Sequence, residues 1–220
     1  MSSFLIKIIA IISMFLDHTG ILFDYDFLRI IGRLAFPLFA FQSVNGYIYS
    51  KSYKKHMNKL LLFSVISQIP YIFFIIVAKR DYSLNIMFTI YLALASMFLY
   101  DNIKNKKLGL LVVLLISYLG AVIDVDGGMW AILVIFSFYY FKDKKILLNI
   151  SFILLAIIKY IFLLIGYKTY YYLFLILGSI CALIPINLYN KKEGIKLKYF
   201  FYLFYPLHFI ILIIIYNIVH

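Results

Sequence analysis

Read from its first residue, the chain is a succession of apolar runs separated by short polar stretches. The runs fall at about 4–23, 27–49, 57–78, 84–100, 108–124, 129–141, 146–165, 170–189 and 199–218, and roughly 20 helical residues, with a range of about 17–25, cross the hydrocarbon of a bilayer. Backbone polar groups in lipid must be satisfied within the segment, so runs of this length predict helices. The pattern predicts an all-α, polytopic transmembrane helix bundle of about nine spans (eight to ten), built as one domain over 1–220. The run at 129–141 is short. It either borrows from its flanks or belongs to a re-entrant segment around Asp124-Val125-Asp126-Gly127-Gly128.

Composition agrees. Of 220 residues, 65% are hydrophobic and 14% charged, and the mean hydropathy is +1.01. A soluble domain is about half apolar and about a quarter charged, and one of this length has too little interior to hide the surplus. Residues 4–16 are apolar, but Asp17-His18 follows rather than a small-residue cleavage site, so this stretch reads as a retained first helix. The single cysteine, Cys181, lies in an apolar run and cannot form an intramolecular disulfide.

Charge then orients the bundle. The net charge is +12, which in a soluble protein would suggest nucleic acid. Here the lysines sit in short loops, and the reading is topological, with no nucleic-acid partner. With the N-terminus cytoplasmic, Lys7, Lys51, Lys54, Lys55, Lys59, Lys104, Lys106, Lys107, Lys142, Lys144, Lys145, Lys191, Lys192, Lys196 and Lys198 share the inner side. Only Arg29, Arg33, Lys79, Arg80 and Lys168 fall on the outer side, and Lys159 falls within a span. Losing one span would scramble this bias.

Polar residues inside the spans are costly and carry the candidate chemistry. Asp17 and His18 are neighbours near the outer end of the first helix; about 100° apart, they do not face each other. They either mark an interfacial helix end or form part of a site, with Asp17 orienting a second imidazole or pairing with Arg33. Arg29 and Arg33 lie four apart on one stripe of the second helix, with Pro37 beyond them. Two guanidiniums so placed can clamp an anion or a carbonyl. Arg29 is near enough to the loop to snorkel; Arg33 sits deeper and needs a buried partner, for which Asp17, Asp124 and Asp126 are candidates.

Ser64, Gln68 and Tyr71 share a stripe of the third helix, and Asn85 and Thr89 begin the fourth. Such groups often act as interhelical hydrogen-bond glue, and here they are also candidates for substrate contact. Trp130 and most of the 21 tyrosines read as interfacial or packing residues. Lys159 either snorkels or pairs with an acid. His208, beside Pro206, is the histidine farthest from any loop. A neutral imidazole is the least costly group that can exchange a proton inside lipid. Asp17, His18, Arg33, Asn85, Asp124 and Lys159 all fall in the outer half, which predicts a polar cavity opening outward. No metal-ligand cluster, phosphate loop or Cys/His nucleophile pair is present.

Several motifs together resemble the TraX family: Leu5–Ile12 followed by Asp17-His18, Leu28-Arg29-Ile30-Ile31-Gly32-Arg33-Leu34-Ala35-Phe36-Pro37, Ser67-Gln68-Ile69-Pro70, Leu84-Asn85-Ile86-Met87-Phe88-Thr89 and Tyr205-Pro206-Leu207-His208. They recur in order from residue 5 to residue 208; the middle, about 101–165, matches loosely through Asp126-Gly127-Gly128-Met129-Trp130. The family is associated with N-terminal acetylation of pilin subunits in conjugation and is grouped with membrane-bound acyltransferases. The resemblance therefore implies an enzyme of the bacterial cytoplasmic membrane. It would move an acetyl group from acetyl-CoA, without a metal, to an amine or hydroxyl of an exported peptide, pilin-like or small-molecule acceptor. On that reading His18 or His208 is the base, with Asp17 orienting an imidazole or pairing with Arg33, and Arg33, Asn85 and Gln68 are carbonyl or oxyanion donors. Arg29, Asp124 and Lys159 complete the candidate substrate-binding set. A proton-coupled transporter or flippase uses the same residue types, and a non-catalytic membrane scaffold would use them only as bundle glue.

Overall fold

A computed structural model describes residues 1–50, 52–167, 169–195 and 198–219, without the side chains of residues 162, 198 and 199. Lys51, Lys168 and Lys196 of the charge count lie outside the described residues. In chain order the helices are α1 (Ser3–Leu22), α2 (Asp26–Gly32), α3 (Ala35–Ile48), α4 (Tyr53–Val77), α5 (Ile86–Asn102), α6 (Lys106–Val122), α7 (Gly128–Tyr140), α8 (Lys145–Tyr167), α9 (Tyr170–Ile180), α10 (Leu183–Asn187) and α11 (Lys198–Val219). Each apolar run becomes helix. Among the described residues, six segments are long and apolar enough to cross a membrane: α1, α2 with α3, α4, α8, α9 with α10, and α11. This is a multi-pass membrane protein.

Two of those spans are broken, and proline explains both breaks. Pro37 and Pro185 have no N–H to give the carbonyl four residues back, and their rings crowd it. The carbonyls concerned belong to Arg33 and Cys181, which stand in the turns between α2 and α3 and between α9 and α10.

Loop contacts sort the helix ends into two faces. On one, the α1 start is hydrogen-bonded to the 188–193 segment (Ser3 N–H to Lys192 O, 2.8 Å; Phe4 N–H to Glu193 O, 3.0 Å). Asn149 at the α8 start meets Asn187 at the α10 end, and the Tyr47 hydroxyl donates to Asp101 at 2.6 Å. On the other, the loops before α5 and α7 join through a short parallel bridge between Leu84 and Val125. Leu84 N–H donates to Asp124 O (2.8 Å) and Asp126 N–H to Leu84 O (2.7 Å). The first is the Lys-rich face of the sequence and the second the Lys-poor one.

Helix α7 has 13 residues, yet it starts at the Lys-poor bridge and ends beside Asp101 on the Lys-rich face, where the Tyr139 hydroxyl bonds that carboxylate. It runs through rather than re-entering. Ala131, Ile132, Val134 and Ile135 are fully buried, so protein rather than lipid surrounds it and its length need not match the bilayer. Outward faces stay apolar, as with Ile69, Ile76, Ile165 and Ile218, all more than 60% exposed. A soluble surface would not carry such a continuous apolar band. Serines turn inward instead: Ser64 and Ser117 are buried and bond the carbonyls of Leu60 and Val113.

Candidate functional site

Between α1, α2, α7, α8 and the Lys-poor loops lies a cavity of about 450 Å³. Its deep wall is α1, which brings Asp17 and His18 to it, and α2 with the turn that follows, which bring Arg29 and Arg33. What permits this is glycine. A Cβ on Gly32 would stand 2.3 Å from Asp17 Cβ, and one on Gly20 would stand 2.7 Å from Arg29 Cγ. On the far side, a Cβ on Gly178 of α9 would meet the Ile30 carbonyl at 2.4 Å. Helix α2 is thus clasped between two backbones, and Arg29 within it and Arg33 just after it are delivered to one carboxylate. An Arg33 terminal nitrogen hydrogen-bonds Asp17 Oδ1, and Arg29 Nε lies 3.9 Å from the same oxygen. Arg29 does not snorkel. The Nε atoms of both arginines are buried without a hydrogen-bond partner among the described residues, so the guanidiniums are held but not saturated.

Asp17 is therefore Arg33's buried partner. It does not orient His18. The His18 ring is set by Met14 O, 2.8 Å from Nδ1, and by edge contacts with Phe74 and Phe209, whose centroids are 5.2 and 5.0 Å away. A carbonyl only accepts, so Nδ1 is the donor and Nε2 carries the lone pair of the neutral ring. His208 lies 4.9 Å from His18, centroid to centroid. It is fully buried, with Nδ1 3.3 Å from Phe204 O and Nε2 without a hydrogen-bond partner among the described residues. The cavity wall includes His18 and not His208.

The opposite wall holds Lys159, Tyr160, Trp130 and Asp126. Lys159 lines the cavity rather than snorkelling and forms no ion pair within 4 Å among the described residues; its Nζ sits 3.8 Å from the Trp130 ring centroid. Trp130 is fixed by its Nε1–H donating to Leu155 O at 2.7 Å and by contact with Phe36. This tryptophan, which the sequence suggested was an interfacial or packing residue, is part of the cavity wall. Asp126 is tied through its backbone, its carbonyl accepting from the Thr89 hydroxyl at 2.7 Å. Asp124, exposed and with a left-handed φ of 51°, stands at the mouth with Arg80 and Asp81.

Gln68 and Asn85 are elsewhere. Asn85 caps α5 through Met87 N–H (3.0 Å), and its amide donates to Ser64 O and to Gln68 Oε1, both at 2.8 Å. Gln68 Nε2 donates to Ser83 O at 3.0 Å, and Tyr71 meets the Ser83 hydroxyl at 2.7 Å. Their polar groups are spent on α4, α5 and the loop between them, and neither lines the cavity. Sequence reasoning passed over Tyr160, the glycines at 20, 32 and 178, and Arg80. A glycine set between two arginines in an apolar span was the one available signal.

The family model for TraX protein matches residues 2–216. The chain belongs to the TraX family. A fimbrial assembly protein of Dichelobacter nodosus, described as "Probable fimbrial assembly protein FimC, serogroup H1", is 30% identical over 96% of this chain and 94% of its own length. An uncharacterized protein of Rickettsia prowazekii (strain Madrid E), RP591, is 33% identical over 44% of the chain and 37% of its own length. No solved structure matches significantly. Because the family match runs from the first turn of α1 into α11, this TraX-family relationship takes in every element of the cavity.

Proposed function

We propose that this protein is an acetyltransferase of the bacterial cytoplasmic membrane, moving an acetyl group from acetyl-CoA to an amine, or a hydroxyl, of an exported pilin-like acceptor. The single observation that carries the reading is His18. It is an imidazole with its Nδ1–H committed to a carbonyl, lining a cavity that also contains two unsaturated guanidiniums. Acyl transfer from a thioester needs a base for the acceptor proton and donors for the developing oxyanion. The acceptor nitrogen attacks the thioester carbonyl, the C–N bond forms and the C–S bond breaks. His18 Nε2 takes the amine proton and returns it to the leaving thiolate, so amide and thiol are the only products. Arg33, with Arg29 behind it, stabilises the oxyanion; Asp17 holds both arginines in place and offsets one of their two charges, which leaves a net positive charge for the oxyanion. Asp126, Asp124 and Asp81 give the mouth side carboxylates suited to an incoming ammonium. The fimbrial assembly relative supports a pilin-like acceptor.

Purified protein with radiolabelled acetyl-CoA and an amine-bearing peptide tests the reading. Wild type should transfer label, and His18→Ala should lose about 10²–10⁴-fold in rate. His208→Ala, outside the cavity wall, should retain transfer within about tenfold. Folded wild type that neither transfers nor hydrolyses acetyl-CoA would overturn the proposal and leave a proton-coupled transporter as the better account of the charged cavity.

A further inference from the structure

A second cavity, about 920 Å³, opens on the Lys-rich face between α1, α3, α4 and the start of α11. One stripe of α1 lines both cavities. Ser3, Lys7, Ile11 and Met14 face the second, and Met14, Asp17, His18 and Ile21 face the first. From Ser3 to Ile21 that stripe covers about 27 Å at about 1.5 Å per residue, close to the full hydrocarbon thickness. The cavities share four lining residues, Met14, Phe39, Ile86 and Tyr205. These form an apolar septum with one hydroxyl, and the His18 ring hangs from the carbonyl of one of them, Met14.

The second cavity has its own chemistry. Among the described residues its charged lining is Lys7, Lys55 and Lys59 against Glu193, with His56 beside them. Lys7, Lys55 and Lys59 all stand in the first two turns of α1 and α4, where the positive-inside bias places lysines anyway. The Lys7 Nζ lies 5.4 Å from the Phe201 ring centroid. Independently, Gln42 lines this cavity and is only 7% exposed. Its Oε1 accepts from the Ser3 hydroxyl at 2.7 Å, while its Nε2 has no hydrogen-bond partner among the described residues. An unpaired amide N–H₂ buried in a native structure calls for an acceptor. The ligand that fits has phosphates for the lysines, an amide-containing arm for Gln42, and an end thin enough to pass the septum.

The geometry points to the Lys-rich cavity as the acyl-donor site, taking a phosphorylated carrier thioester of the CoA type from that face and presenting its acyl carbon through the Met14–Phe39–Ile86–Tyr205 septum to His18. This rests on the acetyltransferase reading. It removes the difficulty that the donor and the charged cavity lie on opposite sides, because no acyl relay on the protein is needed. The thioester itself reaches the outer cavity, and the free thiol withdraws by the way it came.

The full chain in lipid nanodiscs and in sealed vesicles of both orientations tests this, with CoA as the probe. In a Cys181→Ser background, Ser43→Cys on the cavity wall should be labelled by an impermeant maleimide from the Lys-rich face, and CoA should slow that labelling at least fivefold. Lys55→Gln/Lys59→Gln should weaken CoA binding at least tenfold, and Gln42→Leu severalfold. Ile86→Phe, which thickens the septum, should keep CoA affinity within about threefold while transfer falls at least tenfold. If wild type transfers acetyl but CoA neither protects Ser43→Cys nor binds more weakly to the lysine variant, the donor site is wrong and the acetyltransferase reading survives. If wild type neither binds CoA nor transfers acetyl, both fall.

Discussion

Two buried polar clusters stand on the Lys-poor side of this bundle, and they differ in how completely they are satisfied. The Asn85–Gln68–Ser64–Ser83 cluster closes on itself. Asn85 uses its side-chain oxygen for Met87 N–H and its amide for Ser64 O and Gln68, and Gln68 uses both ends of its own amide. The Asp17–Arg29–Arg33 cluster offsets one of its two positive charges and leaves both Nε atoms without hydrogen-bond partners among the described residues, and it lines a cavity. Both clusters avoid an isolated buried polar group, which is the requirement lipid imposes. Only the second keeps directional donors in reserve. A saturated network fixes helices; an unsaturated one beside a cavity can still bind something.

Substitutions can break that contrast. The largest effect is expected from Asp17→Asn, which strips the carboxylate from two partly buried guanidiniums. Breaking such a pair costs on the order of 3 kcal/mol, so folded yield in detergent and thermal stability should both fall, and transfer should drop below detection. Asp17→Leu with Arg29→Met and Arg33→Met, which removes all three charges, should recover much of the stability but none of the transfer. If that triple variant is as unstable as Asp17→Asn, uncompensated charge is not the reason for the loss.

Gln68→Leu should behave in the opposite sense. It orphans Asn85 N–H and one Asn85 amide hydrogen bond, at about 1–3 kcal/mol per unsatisfied group, and should lower the melting temperature measurably. Protein that remains folded should keep the wild-type KM for donor and acceptor. A raised acceptor KM with unchanged stability would return Gln68 to the binding site. Smaller still is Arg29→Lys. Its contact to Asp17 is 3.9 Å against the direct hydrogen bond of Arg33, so transfer should fall less than tenfold, whereas Arg33→Lys should cost more through loss of the planar fork.

The site was partly legible before folding. Asp17 and Arg33 stood out as a costly carboxylate and a deep guanidinium, and their pairing was one of the partners the sequence allowed. Arg29 read as a snorkelling residue, because distance from a loop is all that one dimension offers. The glycine at position 32, which lets α1 and α2 touch and turns Arg29 inward, shows up only as a close approach between two backbones. Likewise nothing in the spacing of His18 and His208 distinguishes an imidazole that lines a cavity from one packed against Phe204 and Phe209.

The sequence by itself determined the solvent, the helical segments, their alternation between a Lys-rich and a Lys-poor face, and the short roster of groups too costly to be in lipid by accident. Those properties are local or additive along the chain: run length, hydropathy and charge count. Tertiary structure alone decided which of those groups are spent on one another and which face open space. It turned Gln68 and Asn85 into interhelical joints, placed Trp130 against Lys159, and aligned one stripe of α1 with two cavities that meet at Met14. Saturation of a hydrogen bond and the shape of a void are relations between helices distant in sequence, and no periodicity within one helix encodes them.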